Sequence, residues 1–267
     1  MNSFMMLVRK ECWENNKTLL WLPAMLVLLL WALQLYVVLK GGGSVRTQGD
    51  EVTGAPLLLV FASPFFVCAV LAAVTFCGNC LLDERKDRSI LFWRSLPVSD
   101  LATVAAKVAV VMLVVPLLYL AAIILAELPL AALMASGGQL SPAGSLAGWW
   151  GLGLHLFWLS LLLAPFYGFM MLLSATTQRP LLWMLLLPML LSLAESLLLG
   201  GHPVTQFIFG HLGKEALVLG ASLKVHFGMA LGGIGGQDGE LLAVTGGLGI
   251  ACLFWLGCAE IRRRHLA

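Results

Sequence analysis

Long apolar runs alternate with short charged stretches along this chain. Residues 18–39, 56–82, 101–126, 149–176, 180–199 and 241–260 are almost free of charge. A helix needs roughly 20 apolar residues to cross a hydrocarbon core of about 30 Å, so the pattern predicts six transmembrane helices. Residues 127–146 are expected to form a mostly irregular external connection, because Pro129 sits where a helix bends or restarts, with Ala131, Ala132 and Leu133 extending the third span or forming a short re-entrant or interfacial piece as the alternative. A seventh span there would put the two termini on opposite sides. The longest stretch that does not span is the external loop 200–240, where Gly232, Gly233, Gly235 and Gly236 favour tight turns.

Ahead of the first span the period changes. Met1, Met5, Val8 and Cys12 recur at helical spacing with Phe4 and Trp13 beside them, while Arg9, Lys10, Glu11 and Glu14 crowd the other face. Residues 1–17 are therefore predicted to form an amphipathic helix lying in the headgroup plane. Asn15, Asn16 and Lys17 then interrupt the apolar pattern and allow a turn into the membrane. A positively flanked signal anchor is the competing reading of this segment. The first apolar run is too long for the core of a cleaved signal peptide.

Composition agrees with the pattern. The chain is 60% apolar and 11% charged with a mean hydropathy of +0.94, whereas soluble domains carry about a quarter charged residues. This excludes a soluble globule and predicts an all-α polytopic membrane protein. The net charge of +2 is informative once divided between sides. With both termini inside, Arg9, Lys10, Lys17, Arg85, Lys86, Arg88, Arg94, Lys107, Arg179, Arg262, Arg263 and Arg264 fall on the cytoplasmic side. Lys40, Arg46, Lys214 and Lys224 fall outside. The ratio of about three to one follows the positive-inside rule. It predicts a multi-pass protein of the cytoplasmic (inner) membrane with a basic cytoplasmic tail at 261–267. No basic run interleaves with aromatics, so nucleic acid is not an expected partner.

The densest charge block is Asp83, Glu84, Arg85, Lys86, Asp87 and Arg88, followed by the short apolar run Ile90, Leu91, Phe92 and Trp93 and then Arg94. A short helix is predicted over about 85–94, with a turn at 95–99 set by Pro97. Ser99 and Asp100 are N-cap types for the third span. An ordinary positive-inside loop is the simpler reading of the block. The order of residues 82–91, then Ser95-Leu96-Pro97-Val98-Ser99, then Val104-Ala105-Ala106-Lys107, resembles the signature of type-2 ATP-binding-cassette exporter permeases. Arg9-Lys10-Glu11-Cys12-Trp13-Glu14-Asn15 is similar to the elbow helix of that family.

The resemblance implies a subunit that works as a dimer with a second permease chain, identical or not, and docks on two separate ATPase subunits. Residues 84–94 would then be the coupling helix. Glu84, Arg85, Asp87, Arg88 and Arg94 would pair with the ATPase, Phe92 and Trp93 would anchor in its cleft, and Leu96, Pro97 and Ser99 would form the turn. Thr176, Thr177, Gln178 and Arg179 would make a smaller contact. ATP and Mg would be bound by the partner. The chain itself is not expected to be an enzyme: the nearest approach to a phosphate-binding loop, Gly210-His211-Leu212-Gly213-Lys214-Glu215, has the wrong spacing and ends in a carboxylate.

Ionisable residues inside spans are costly and draw attention. Glu195 is the clearest case, read equally as part of a substrate path, a proton carrier or a group satisfied by a neighbouring helix. Lys107 is expected to snorkel to the interface, Glu127 to sit in external headgroups, and His155 to be a hydrogen-bonded structural residue. Cys77 and Cys80 make a C-x-x-C without a second pair, and with Cys12, Cys68, Cys252 and Cys258 they read as small hydrophobes. His202, His211 and His226 with Met229 match no tight metal site, so no metal is expected. A membrane anchor that recruits a cytoplasmic partner without transporting is the competing function. A membrane-embedded enzyme lacks the required motifs, and a secondary carrier would need more polar groups in its spans.

Overall fold

The computed structural model describes residues 3–40, 54–86, 99–136, 142–199 and 238–264, which are almost wholly helical and contain no strand. Helix α1 spans Ser3–Glu14, and a π-helical turn, Lys17–Trp21, leads into α2, Leu22–Leu39. Helix α3 spans Gly54–Asn79 and the short α4 spans Leu82–Lys86. Helix α5, Asp100–Ala109, continues through a second π turn, Val110–Val114, into α6, Val115–Ser136. Helices α7 (Pro142–Leu162), α8 (Ala164–Thr176), α9 (Pro180–Leu199) and α10 (Asp238–Arg264) complete the described chain.

Among the described residues three segments are long and apolar enough to cross a membrane: Lys17–Tyr36, Phe61–Arg85 and Asp100–Ala132. A fourth counts if Leu146–Leu162 and Ala164–Thr176 form one span bent by 51°. The single helix expected over 149–176 is thus broken. Pro165 follows the first residue of α8 and has no N–H to extend the ladder of α7. Leu163 bridges the two pieces at φ −82°, ψ 0°, donating to Leu159 O and accepting from Tyr167 N, both at 3.0 Å.

The centre of the fold is α3 and α6 packed together, with α2 and α7 against α6 and α8 against α3. Phe65, Phe66, Phe76, Tyr119, Ile123, Met170 and Met171 fill the space between them. Helix α10 lies along α8, and Gly168 marks the closest approach. A Cβ at Gly168 would meet Phe254 Cβ at 3.1 Å, Trp255 Nε1 at 3.3 Å and the Ala251 carbonyl at 3.4 Å. The absence of a side chain lets the two helices close up, as small residues do between membrane helices.

One expectation fails at the end of a span. Residues 127–136 are helical rather than irregular, with Pro129 inside α6, and helix resumes at Pro142. Pro129 offers no N–H to Leu125 O. The indole of Trp31 donates to that carbonyl at 3.0 Å, and Gln34 Nε2 donates to Ala126 O at 3.0 Å. Two side chains of α2 thus stand in at the flaw that would otherwise end α6. Replacing Trp31 with Phe keeps an aromatic ring and removes the donor. It is expected to cost about 1 kcal/mol, read as a lower unfolding midpoint in detergent.

The amphipathic N-terminal helix is present as α1. The face packed on α5 carries Leu7, Val8, Glu11 and Cys12, whereas Met5 and Trp13 are exposed at 66% and 77%. Charge, not only apolar area, decides which face is covered. The backbone also stays helical through Asn15–Lys17, where Leu19 N donates to Asn15 O at 3.0 Å.

Candidate functional site

The helix ends that carry Glu84 and Lys107 meet in a buried cluster of charge. Helix α1 contributes Lys10 and Glu11, α4 contributes Glu84, α5 contributes Asp100 and Lys107, and α10 contributes Arg262. Lys107 is 1% exposed and Glu11 2%. Lys107 Nζ lies 2.8 Å from Glu11 Oε2 and 3.0 Å from Glu84 Oε1. Arg262 reaches Glu84 Oε2 with Nη1 at 2.6 Å and Asp100 Oδ1 with Nε at 2.9 Å. Lys10 Nζ lies farther out, 3.8 Å from both Glu11 Oε1 and Glu84 Oε1 and 3.5 Å from Glu14 Oε1.

Charge balance explains why this cluster tolerates burial. Three carboxylates (Glu11, Glu84, Asp100) alternate with three cations (Lys10, Lys107, Arg262), and the more exposed Glu14 also meets Lys10 at the rim, so each buried charge has an opposite neighbour. A buried ion pair must have close geometry and compensating hydrogen bonds to offset desolvation. Arg262 supplies both by dividing its guanidinium between two acids. At the rim, burial raises the Glu14 carboxyl above its ordinary range while Lys10 pulls it down. Burial, with Glu11 nearby, raises the Cys12 thiol. That thiol is protonated at neutral pH and is a poor nucleophile.

A second set of contacts fixes α4. A helix start leaves backbone N–H groups unsatisfied. Here Ser174 Oγ of α8 accepts from Leu81 N at 3.3 Å and from Leu82 N at 3.0 Å. Arg85 then reaches back, its Nη1 donating to Ala175 O at 2.7 Å. A cation on the last carbonyls of α8 also complements that helix's dipole. The start of the charged segment is thereby held to α8 by Ser174 and Arg85 and to α1, α5 and α10 by Glu84. No protein-family model, curated protein or solved structure gives a significant match to the chain.

The structure redistributes the residues singled out in the sequence. Glu84 faces inward and is engaged by Lys107 and Arg262, so its carboxylate is not presented at a surface. Arg85 is occupied at Ala175. Ser99 is the N-cap of α5 as expected, accepting from Ala102 N at 3.2 Å. Asp87, Arg88, Phe92, Trp93, Arg94, Leu96 and Pro97 lie outside the described residues, as does most of the helix expected over 85–94. So do loop 200–240 up to residue 237, with His202, His211, His226 and Met229, and the end of the basic tail. Glu195 is buried on α9.

Lys107 does not snorkel, because two carboxylates meet its ammonium inside the protein. Glu127 is buried rather than in headgroups, since α6 continues past it. Cys77 and Cys80 are buried free thiols, and Cys80 Sγ donates to Cys77 O at 3.4 Å. The ring of His155 meets Phe66 edge-on at 5.6 Å. Among the described residues no group of three or more His, Cys, Asp or Glu side chains is arranged to hold a metal. Sequence reasoning missed Glu11, Asp100 and Arg262 as partners of Lys107 and Glu84. The available signal was Lys107 itself: a lysine between Ala106 and Val108 in an apolar run needs an acid from elsewhere.

Proposed function

We propose that this chain is the membrane-spanning subunit of an ATP-driven exporter of the type-2 ATP-binding-cassette kind. In this reading it has six spans and both termini on the cytoplasmic side of the inner membrane. It pairs with a second permease chain, and two ATPase subunits bind and hydrolyse ATP with Mg. The supporting observation is the anchoring of the charged segment's first turn. Glu84 and Arg85 tie α4 to α1, α5, α8 and α10, so a push on residues that follow α4 is delivered to several helices at once.

This divides the work within residues 84–94. Glu84 and Arg85 transmit force inward, while Asp87, Arg88, Phe92, Trp93 and Arg94 meet the ATPase. Cargo moves along a path between the two permease chains, with Glu195 a candidate lining residue. The deciding experiment is affinity capture of the tagged full chain from gently solubilised native membranes, with mass spectrometry and an ATPase assay. Wild type is expected to bring down an ATP-binding-cassette ATPase. Phe92→Ala/Trp93→Ala is expected to lower its recovery by about tenfold or more, the usual effect of deleting interface anchors. Recovery of well-folded wild type with no ATPase overturns the exporter reading in favour of a non-transporting anchor.

A further inference from the structure

Within α6, about 30 Å along the α5–α6 rod from Lys107 at 1.5 Å per residue, a different polar group is buried without a counter-charge among the described residues. Glu127 has no solvent exposure. Its Oε2 accepts from Trp149 Nε1 at 2.9 Å, and its Oε1 has no hydrogen-bond partner. Two helices close around it: α7 brings Trp149, and α2 brings Gln34, whose Nε2 is bound to the carbonyl of Ala126, the residue before Glu127. Gln34 Oε1 is likewise buried and unpaired.

We propose that Glu127 is a proton-binding site, carrying its proton in the conformation described here and releasing it to water when the contact between α2, α6 and α7 opens. Ionised, this carboxylate would hold a full charge in an apolar interior against a single indole donor, which is costly. Protonated, it gains an O–H donor, and Gln34 Oε1 is a buried acceptor on the adjoining helix that lacks one. A metal cation fits less well, because Trp149 already donates to the carboxylate.

The ionisable groups on elements packed against α6 are Lys17 on the first π turn, Tyr36 on α2 with Lys40 just beyond it, Cys68 and Cys77 on α3, and His155 on α7. Lys40 lies over the Tyr36 ring, and His155 packs on Phe66. Among the described residues Glu127 forms no ion pair with any of them. This contrasts with Glu11 and Glu84, each of which meets a cation at 3.0 Å or less. The inference does not depend on the exporter reading, since it rests on the surroundings of one side chain.

Infrared spectroscopy of the full chain in lipid nanodiscs at neutral pH tests it. Wild type is expected to show the carbonyl stretch of a protonated carboxyl, shifted down in D2O and missing from Glu127→Gln. Trp149→Phe keeps the acid but removes the indole donor, and is expected to move the band to higher frequency. It also serves if Glu127→Gln fails to fold. If the wild-type spectrum lacks a protonated-carboxyl band sensitive to either substitution, Glu127 is ionised in the folded protein and the proposal is overturned.

Discussion

Replacing Lys107 with Met is expected to be the most damaging single change among the buried charges. Methionine fills much of the same volume, so the effect isolates the loss of the ammonium. Glu11 then keeps only Lys10, at 3.8 Å, while Glu84 keeps Arg262 and the same distant Lys10. Removing one partner of a buried pair costs roughly 3–5 kcal/mol because the other charge stays buried. In a chain of this size that corresponds to an unfolding midpoint lower by on the order of 10 °C. The check is size-exclusion chromatography after heating in detergent. Adding Glu11→Gln to Lys107→Met removes one charge of each sign and is expected to recover part of the loss. A Lys107→Met protein as stable as wild type would mean that water reaches the cluster and that it does not hold α1 on α5.

Helix existence was largely legible in the sequence, because apolar run length follows directly from the solvent a spanning helix must face. The bounds of α9 coincide with the predicted run at 180–199, and Ser99 announced the start of α5. Interruptions were read less well. Pro129 was taken to end a helix that in fact continues, because the donor replacing the missing N–H is Trp31, nearly a hundred residues earlier in the chain. Pro165 was passed over although it accompanies the 51° break. The two prolines have the same local chemistry, and what differs is the neighbouring helix.

The charged residues show the same limit. Glu84 and Arg85 looked like a surface because charge runs between spans are usually solvated. The burial of Glu84 depends on Lys107 and Arg262, and Arg85, itself exposed, is engaged by the Ala175 carbonyl; these partners lie on other helices and leave no local mark beside residue 84. Helix α1 shows the same limit: apolar spacing marked Val8 and Cys12, and left unmarked that Glu11 would join them on the packed face by meeting Lys107. Periodicity reports how a helix meets an apolar medium, but it does not record which ions will find each other.

Arg262 is where structural and functional consequences separate. Arg262→Ala leaves Glu84 with Lys107 at 3.0 Å, so the expected loss is about 2–3 kcal/mol, below that for Lys107→Met. Asp100 is more exposed than Glu84 and is hydrated once Arg262 is gone. Arg262→Lys cannot reproduce the fork between two acids and is expected to fall in between. The two cations share Glu84, so Lys107→Met and Arg262→Ala should combine non-additively, with a coupling of about 1 kcal/mol or more. If α4 passes an ATPase's motion to α10 through this guanidinium, Arg262→Ala/Glu84→Gln should fold and still capture the proposed ATPase, because both side chains are buried within this chain. Transport-linked stimulation of ATP hydrolysis should nevertheless fall. Retained stimulation in that double variant would show that the cluster holds the helices together without transmitting force between them.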